Sequence, residues 1–315
     1  MSIALLSHIE LDAGYPSHFE QAGFNLYYAT TAEARNNLDP EIAAEIRAVL
    51  TVGSIGITAK QMAALPNLEI ICAQGVGFEQ IDIEAANARN IKVTHGPGTN
   101  NSAVADHTLA LMLAITRSIP FLDGKVRSGE WNRSRLVLPG MFGKKLGVIG
   151  MGNIGTQIAQ RCAGGFDMQV GYFNRRPLTD SAWRYFDSRQ ALAGWADYLV
   201  VATPGGKDTQ KLVDAEVLRE LGPQGYLINI ARGSVVDTAA LIASLKNQQI
   251  AGAALDVIDG EPQVPAEMLT LTQNLVMTPH TAGRSPQAVA NMMHLVIANL
   301  GAHFSGQALL TPVPA

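Results

Sequence analysis

Three side chains that could do chemistry follow predicted strands in the second half of the chain. Arg232 comes after residues 229–231, Glu261 after 255–260 and His280 after 277–279. Because ligands of open parallel sheets bind at the carboxyl ends of the strands, these residues could share one site. A single histidine after a strand is more often structural, so the coincidence of three such residues is what indicates function.

A glycine-rich turn lies between a predicted strand at 146–149 and a predicted helix from Thr156. Its glycines have the spacing G-x-G-x-x-G. In that context the first permits a tight turn, the second lets the backbone approach a pyrophosphate, and the third lets helix and strand pack closely. The N–H groups at the start of the helix favour an anion. We expect a dinucleotide to bind here, in contact with Gly150, Gly152, Asn153, Ile154 and Gly155.

The end of the next predicted strand, 169–173, bears on which dinucleotide binds. Sites that prefer NAD place an Asp or Glu there to hold the ribose 2′-hydroxyl. This chain has Asn174, Arg175 and Arg176, with no carboxylate among them. Guanidinium groups bind a phosphate that a carboxylate would repel. The two arginines could also be a solvated pair on a surface turn, but the sequence favours NADP(H), with NAD(H) as the weaker alternative.

Short apolar runs alternate with helical stretches along the chain, a pattern typical of a parallel sheet covered on both faces. The first half has predicted strands at 3–6, 25–28, 48–52, 68–73 and 91–94. The second half has six, at 146–149, 169–173, 198–202, 226–230, 252–256 and 275–277. Predicted helices include 17–21, 40–46, 102–117, 156–164, 215–221, 238–247 and 286–304. The predicted fold class is α/β, with two doubly wound parallel-sheet domains of the Rossmann and flavodoxin kind and a cleft between them.

The breaker residues at 95–98 and the position of the last helix set the predicted domain boundaries. A chain of 315 residues exceeds the usual size of one domain. The helix at 286–304 follows the second series of strands, which has no further α/β unit for it to join, so we expect it to return to the first domain. The prediction is a substrate-binding domain of 1–98 plus 285–315 and an NADP-binding domain of 99–284, with hinges near 97–99 and 283–286.

Composition argues against several other classes of function. Apolar residues make up 47% of the chain and charged residues 16%, and the net charge of −4 gives no indication of a nucleic-acid or anionic-membrane partner. No signal peptide is visible, and no run approaches the length of a membrane span. Cys72 and Cys162 lie in separate apolar runs and are expected to be buried free thiols. We expect a cytoplasmic protein with no metal site.

A series of motifs follows in an order that is specific to one family. They are GVGFEQID at 75–82, AVADHTLAL at 103–111, GMGNIG at 150–155, ATPGG at 202–206, NIARGSVVD at 229–237, ALDV at 254–257 and TPHTA at 278–282. With these motifs the chain resembles, over nearly its whole length, the D-isomer-specific 2-hydroxyacid dehydrogenases. Within that family it resembles the glyoxylate/hydroxypyruvate reductase branch.

The resemblance implies an activity, the NADPH-dependent reduction of small 2-oxo acids to D-2-hydroxy acids. Arg232 would bind the substrate carboxylate and polarise the keto oxygen, His280 would be the general acid, and Glu261 would orient its imidazole. Asp256 would hold the nicotinamide carboxamide. The backbone groups expected to take the carboxylate are those of Gly75, Val76 and Gly77. The remaining expected cofactor contacts are Thr203, Pro204, Ile230 and Ala231.

Several other residues have a structural and a functional interpretation. The helix at 102–117 is apolar almost all round, so we expect it to be buried between domains or subunits. Together with the resemblance, this implies a homodimer that packs through the cofactor domains. Asp106 and His107 could be a capping and packing pair or could have a functional role. We expect Asp237 to cap the next helix, and Trp131 to pack within its own chain rather than against a partner subunit.

The sequence departs from the family pattern at two places. Glu79 stands where the family loop commonly has Asp, a change that leaves the backbone N–H groups unaffected. Arg284, shortly after His280, could face the substrate, so the side chain of the 2-oxo acid stays open. Two alternatives also remain from the same superfamily: a dinucleotide-sensing, corepressor-like binding protein, and a dehydrogenase of formate or phosphite.

Overall fold

The computed structural model describes residues 2–314. The chain forms two compact units, one made of the residues up to Asn100 together with those from Ser285 onward, the other of Asn101–Arg284. Among the described residues, no helix is both long and apolar enough to cross a bilayer.

The first unit contains a five-stranded sheet in which every pairing is parallel, in the order β2-β1-β3-β4-β5. Its strands are β1 Ile3–Ser7, β2 Phe24–Tyr28, β3 Ile46–Thr51, β4 Ile70–Ala73 and β5 Lys92–Thr94. Its helices are α1 Tyr15–Gln21, α2 Ala32–Asn36, α3 Pro40–Glu45, α4 Ala59–Ala63, α5 Ile83–Ala88 and α13 Pro286–Phe304. This strand order is that of flavodoxin-like sheets.

Burial explains why the strands of the first unit are continuous apolar runs. All four residues of β4 are buried, as are five of the six residues of β3. Helices on both sides of a parallel sheet leave neither face to water, so no alternation of polar and apolar residues is needed. The last helix, α13, packs on β4, and the chain after it pairs with β5 through an antiparallel bridge between Thr94 and Pro312.

The second unit contains a seven-stranded parallel sheet in the order β12-β11-β10-β9-β6-β7-β8. Its strands are β6 Lys145–Ile149, β7 Gln169–Phe173, β8 Arg184–Tyr185, β9 Tyr198–Val201, β10 Tyr226–Asn229, β11 Gly252–Leu255 and β12 Leu275–Met277. Its helices are α6 Asn101–Thr116, α7 Ile119–Arg127, α8 Asn153–Phe166, α9 Arg189–Trp195, α10 Ala215–Leu221, α11 Thr238–Lys246 and α12 Ala266–Leu269. The predicted α/β class with two doubly wound parallel sheets is confirmed, and the two-residue strand β8 is added to the six that were predicted.

Helix α6 is buried largely by its own unit. It packs against α8 and against β10, β11 and β12, and its buried residues, from Val104 to Ile115, belong to the core on that face of the sheet. Packing within its own unit therefore explains the apolar sequence of α6, and burial between domains or subunits is not required for it. The expectation that Trp131 packs within its own chain is wrong, since 66% of its surface is exposed.

Candidate active site

The glycine-rich turn lies where the strand order of the second unit changes direction. The turn follows β6, and the neighbouring strand β9 is followed by Ala202 and Thr203. Gly150 has a φ of 99°, and a β-carbon there would lie 2.8 Å from the carbonyl carbon of Ala202. Only glycine permits both the left-handed backbone and this close approach. The two loops thus form one edge of the crevice in which ligands of such sheets bind.

The groups around this crevice fit a dinucleotide. Helices α9, α10 and α11 of this unit are capped by a side chain, whereas α8 begins at Gly152 with no side-chain cap among the described residues. Nothing lies within 4 Å of a β-carbon built at Gly152, so a ligand can approach the backbone there. The buried hydroxyl of Thr203 has no hydrogen-bond partner within residues 2–314. Uncapped N–H groups and an open glycine suit a pyrophosphate, and the Thr203 hydroxyl is left for another polar group of the ligand.

Asn174 fastens the turn from the end of β7. Its Oδ1 accepts a hydrogen bond from the N–H of Met151 at 2.8 Å. Arg175 and Arg176 follow on the surface, and Nη1 of Arg175 lies 3.7 Å from Oδ2 of Asp208. Both side chains of that pair are more than 80% exposed, so water screens the contact. The three residues therefore have different roles: the side-chain amide of Asn174 holds the glycine-rich turn in shape, and Arg175 and Arg176 supply positive charge beside it.

The turn that carries Arg232 is held by a residue that the sequence did not single out. Asn229, at the end of β10, accepts a hydrogen bond from the N–H of Ala231 at 3.0 Å and donates one to the carbonyl oxygen of Arg232 at 3.0 Å. The guanidinium of Arg232 donates to the carbonyl oxygen of Ala231 at 2.7 Å. An asparagine at a strand end is a readable signal for such a turn. Ile230 and Ala231, expected beside the cofactor, have their side chains buried in the cores on either face of the sheet.

Glu261 and His280 are brought together by the ends of β11 and β12. Nδ1 of His280 lies 2.6 Å from Oε1 of Glu261, and both side chains are partly exposed. Burial raises the pKa of the Glu261 carboxyl, but the hydrogen bond and charge of His280, the N–H of Ile258 and the charge of Arg232 outweigh it, so this pKa lies below its usual range. Glu261 is therefore an ionised acceptor at neutral pH, with Arg232 near enough to act on it.

Asp256 lies directly after β11 and is only 2% exposed. Its carboxylate accepts hydrogen bonds from the Thr278 hydroxyl at 2.6 Å and from the N–H groups of Thr281 and Ala282, each at 2.9 Å. Nε2 of His107, on α6, lies 2.9 Å from the Thr278 hydroxyl. Sequence reasoning connected Asp256 with the cofactor but did not detect these contacts with the segment that carries His280.

Asp106 and Asp237 have two different structural roles. Asp106 does not cap α6, as one interpretation had it, but accepts a hydrogen bond from Nε of Arg161 on α8 at 2.8 Å. Asp237 does cap α11, as predicted, by accepting from the N–H of Ala240 at 3.1 Å. That hydrogen bond and Lys211 hold the pKa of the Asp237 carboxyl below its usual range.

In the first unit, the loop from Gly75 to Gly77 follows β4. Gly75 has a φ of 98°, and its carbonyl oxygen accepts from the N–H of Gly96 at 2.6 Å. Nδ1 of His95 donates to the carbonyl oxygen of Val76 at 2.9 Å. Among the described residues of this unit, no backbone carbonyl accepts a hydrogen bond from the N–H of Val76 or Gly77.

The fold and this crevice define a class of protein, the dinucleotide-dependent oxidoreductases built on two parallel α/β sheets. Comparison with known proteins narrows the class. The family model for the NAD binding domain of D-isomer specific 2-hydroxyacid dehydrogenases matches residues 109–282. A 2-ketogluconate reductase of Gluconobacter oxydans is 40% identical over 93% of both chains, and glyoxylate/hydroxypyruvate reductase A of Arabidopsis thaliana is 40% identical over 92% of both.

Solved structures agree with these sequence relationships. The NADPH-dependent glyoxylate/hydroxypyruvate reductase from Sinorhizobium meliloti, in complex with NADP and malonate, is 33% identical, with a TM-score of 0.87 over 99% of this chain and 97% of that one. The chain belongs to the D-isomer-specific 2-hydroxyacid dehydrogenase family, in its glyoxylate/hydroxypyruvate reductase branch. The resemblance drawn from the sequence motifs is confirmed.

Proposed function

We propose that this protein reduces small 2-oxo acids to D-2-hydroxy acids with NADPH, the substrate being glyoxylate, hydroxypyruvate or a close relative such as 2-ketogluconate. The observation that carries the proposal is the His280–Glu261 hydrogen bond beside Arg232, on the sheet that also bears the dinucleotide turn. The relatives named above, reductases of such acids, support it.

His280 is the proposed general acid. The ionised carboxylate of Glu261 can only accept a hydrogen bond, so Nδ1 of His280 carries a proton. The other ring nitrogen, Nε2, is then the atom that delivers a proton to the substrate carbonyl oxygen. When bound, the cofactor supplies the hydride that reduces the carbonyl carbon. The hydrogen bond from Nδ1 to Glu261 fixes the orientation of the imidazole ring.

Arg232 is the proposed group that binds substrate. Its planar guanidinium suits a carboxylate and an adjacent keto oxygen, and its charge draws electron density from the carbonyl that is to be reduced. Asn229 fixes the turn on which Arg232 stands, which limits the freedom of the guanidinium. In the first unit, the N–H groups of Val76 and Gly77 are proposed as further donors to the substrate carboxylate.

The proposed preference for NADP(H) over NAD(H) depends on Asn174, Arg175 and Arg176. The turn after β7 offers two exposed guanidinium groups and no carboxylate to the ribose 2′-position. The relative from Sinorhizobium meliloti that was solved with NADP supports this preference.

We also propose that the protein works as a homodimer in the cytoplasm. Several large apolar side chains within 119–142 are exposed, a larger set than isolated surface residues explain. They are Ile119, Val126, Trp131, Leu136, Val137 and Phe142. The two cysteines are buried and not disulfide-bonded, which suits a reducing compartment. Sedimentation velocity of the purified protein measures the mass that distinguishes dimer from monomer.

Initial-rate kinetics test the proposed activity. Purified protein is given NADPH or NADH with glyoxylate, hydroxypyruvate, 2-ketogluconate or phenylpyruvate, and consumption of the reduced cofactor is followed. We expect turnover with at least one of these acids and a higher kcat/KM with NADPH. His280→Ala and Arg232→Ala should abolish turnover, whereas the exposed controls His18→Ala and Arg219→Ala should not.

Three outcomes would contradict the proposal. Normal turnover in His280→Ala and Arg232→Ala would refute the assigned roles. Tight NADPH binding without turnover of any 2-oxo acid would favour a binding protein, and reduction of NADP by formate or phosphite would favour a dehydrogenase of those anions.

A further inference from the structure

The hydrogen bonds of Asp256 converge on the segment that bears His280. Its carboxylate accepts from the side chain of Thr278 and from the N–H groups of Thr281 and Ala282. Its carbonyl oxygen accepts from the N–H of His280 itself at 2.8 Å. Residues on both sides of His280 are thus tied to one buried aspartate.

The backbone of His280 requires such restraint. Its φ is 50°, in the left-handed region that residues other than glycine adopt only when their surroundings hold them there. The N–H groups of Thr281 and Ala282 point at the same carboxylate because the chain turns back after His280. Loss of that carboxylate would release the turn and let the imidazole move away from Glu261.

The hydrogen-bond network around Asp256 extends through Thr278 to His107 on helix α6. Thr278 has one hydroxyl proton, and the 2.6 Å contact with Asp256, both of whose side-chain oxygens accept hydrogen bonds, uses it. At the 2.9 Å contact between Thr278 and His107, the histidine must therefore donate from Nε2. The hydrogen bonds run in one direction, from His107 to Thr278 to Asp256, and a chain of this kind strengthens its members.

We propose that Asp256 is a positioning residue for His280, and that Thr278 and His107 support it. This inference rests on the proposed function, in which His280 is the general acid. It differs from the role implied by the family resemblance, in which Asp256 holds the nicotinamide carboxamide. Oδ1 already accepts two hydrogen bonds and Oδ2 one, so the carboxylate is committed mainly to the His280 segment.

The two roles predict different kinetics for Asp256→Asn. In this isosteric variant an amide NH₂ faces a backbone N–H, so the turn opens while the volume is unchanged. A positioning role predicts a fall in kcat of about 100-fold, the size expected for a misplaced catalytic group, with the Kd of NADPH unchanged. The matched control is Asp237→Asn, the same change at a helix cap of the same unit, and it should leave kcat unaltered.

Thr278 offers a second test through a conservative rescue. Thr278→Val removes the hydroxyl at nearly constant volume and should lower kcat about tenfold, the effect expected for one hydrogen bond to a charged group. Thr278→Ser restores the hydroxyl and should restore most of kcat. Equal activity of the two variants would overturn the proposal, and this pair decides it if Asp256→Asn does not fold.

A spectroscopic measurement separates this proposal from the proposed function. In the protein without cofactor, the proton on Nδ1 of His280 should give a far-downfield resonance, identified by its loss in His280→Asn. We expect the resonance to shift or vanish in Asp256→Asn and Thr278→Val and to persist in Asp237→Asn. If the wild type turns over no 2-oxo acid, the proposed function fails while the resonance still tests the positioning. An unchanged resonance, or a kcat preserved while NADPH affinity is lost, would refute the positioning role.

Discussion

Gly155 provides a direct test of how the dinucleotide turn is built. It is the third residue of α8, and a β-carbon there would lie 2.4 Å from the carbonyl oxygen of Gly150 and 3.1 Å from Cγ1 of Val148. Reaching ordinary van der Waals separation requires the first turn of α8 to retreat from β6 by about 1 Å. Since backbone and a packed strand lie opposite, the displacement must be taken up by the helix.

The cost of Gly155→Ala follows from that displacement. Overpacking of this kind destabilises by about 1–3 kcal/mol. For a unit of this size the melting temperature should fall by about 2–4 °C for each kcal/mol. The N–H groups at the start of α8 move with the helix, and losing even one hydrogen bond to the pyrophosphate should weaken NADPH binding by at least about tenfold.

Gly164 is the matched control, in the same helix. Nothing lies within 4 Å of a β-carbon built there, so Gly164→Ala gains helix propensity without a clash. It should stabilise the protein by about 0.5–1 kcal/mol and leave NADPH affinity unchanged. Thermal unfolding followed by circular dichroism and NADPH titration by fluorescence measure both quantities. The reasoning is refuted if Gly155→Ala melts and binds like the wild type, or if both variants lose stability equally.

Two further predictions concern charge and pH. Replacing Arg175 and Arg176 by Ser should lower kcat/KM with NADPH about 10–100-fold, because the 2′-phosphate loses its proposed partners, and should leave kcat/KM with NADH unchanged. Arg219→Ser is the control. An equal loss of kcat/KM with both cofactors would contradict the assignment. His8 is 2% exposed, and burial, aided by the charge of Arg35, lowers its pKa to about 4 despite a hydrogen bond to a carbonyl oxygen. The unfolded chain therefore takes up this proton first, so stability should decline by about 3 kcal/mol as the pH falls from 6.5 to 4. Denaturant unfolding at several pH values should show that loss in the wild type and not in His8→Gln, and an identical pH dependence in both would refute it.

The strands were predictable from sequence because their surroundings are uniform. β9 and β11 are buried at every position, and a parallel sheet with both faces covered requires such unbroken apolar runs. β8 has only two residues, one of them exposed, and so carries no pattern that a periodicity argument can use. It exists because Arg184 and Tyr185 pair with β7.

The short helices were missed for a different reason. None of the nine residues of α7 is buried, so no apolar stripe marks it. Helix α4 is five residues long, and its signal is local: Thr58 and Gln61 form a reciprocal capping box. That signal is readable from sequence as a threonine followed three residues later by a glutamine. The capping residues therefore mark this helix in the sequence, whereas its hydrophobic periodicity does not.

In the candidate site, the sequence indicated which residue types take part but not all the contacts they make. The sequence, with the family resemblance, selected Glu261 and His280, which lie 19 positions apart, and the structure brings them within 2.6 Å. It did not indicate that Thr281 and Ala282 bind Asp256 through backbone N–H groups, because those contacts depend on a left-handed residue whose conformation sequence does not reveal. The histidine with the predicted chemistry is itself that residue.

Asn174 shows how a neutral residue can keep the shape of a site while changing its charge. A carboxylate at the same place could accept the hydrogen bond from the N–H of Met151 equally well, so the geometry of the turn does not require an amide. What the amide removes is a negative charge beside the position proposed for the ribose 2′-group. Arg175 and Arg176 then add positive charge that the fold itself does not need: both side chains are exposed, and the 3.7 Å contact of Arg175 with Asp208 is exposed as well. A turn whose shape is set by Asn174 and whose charge is set by its neighbours would let the cofactor preference change without disturbing the glycines proposed to hold the pyrophosphate.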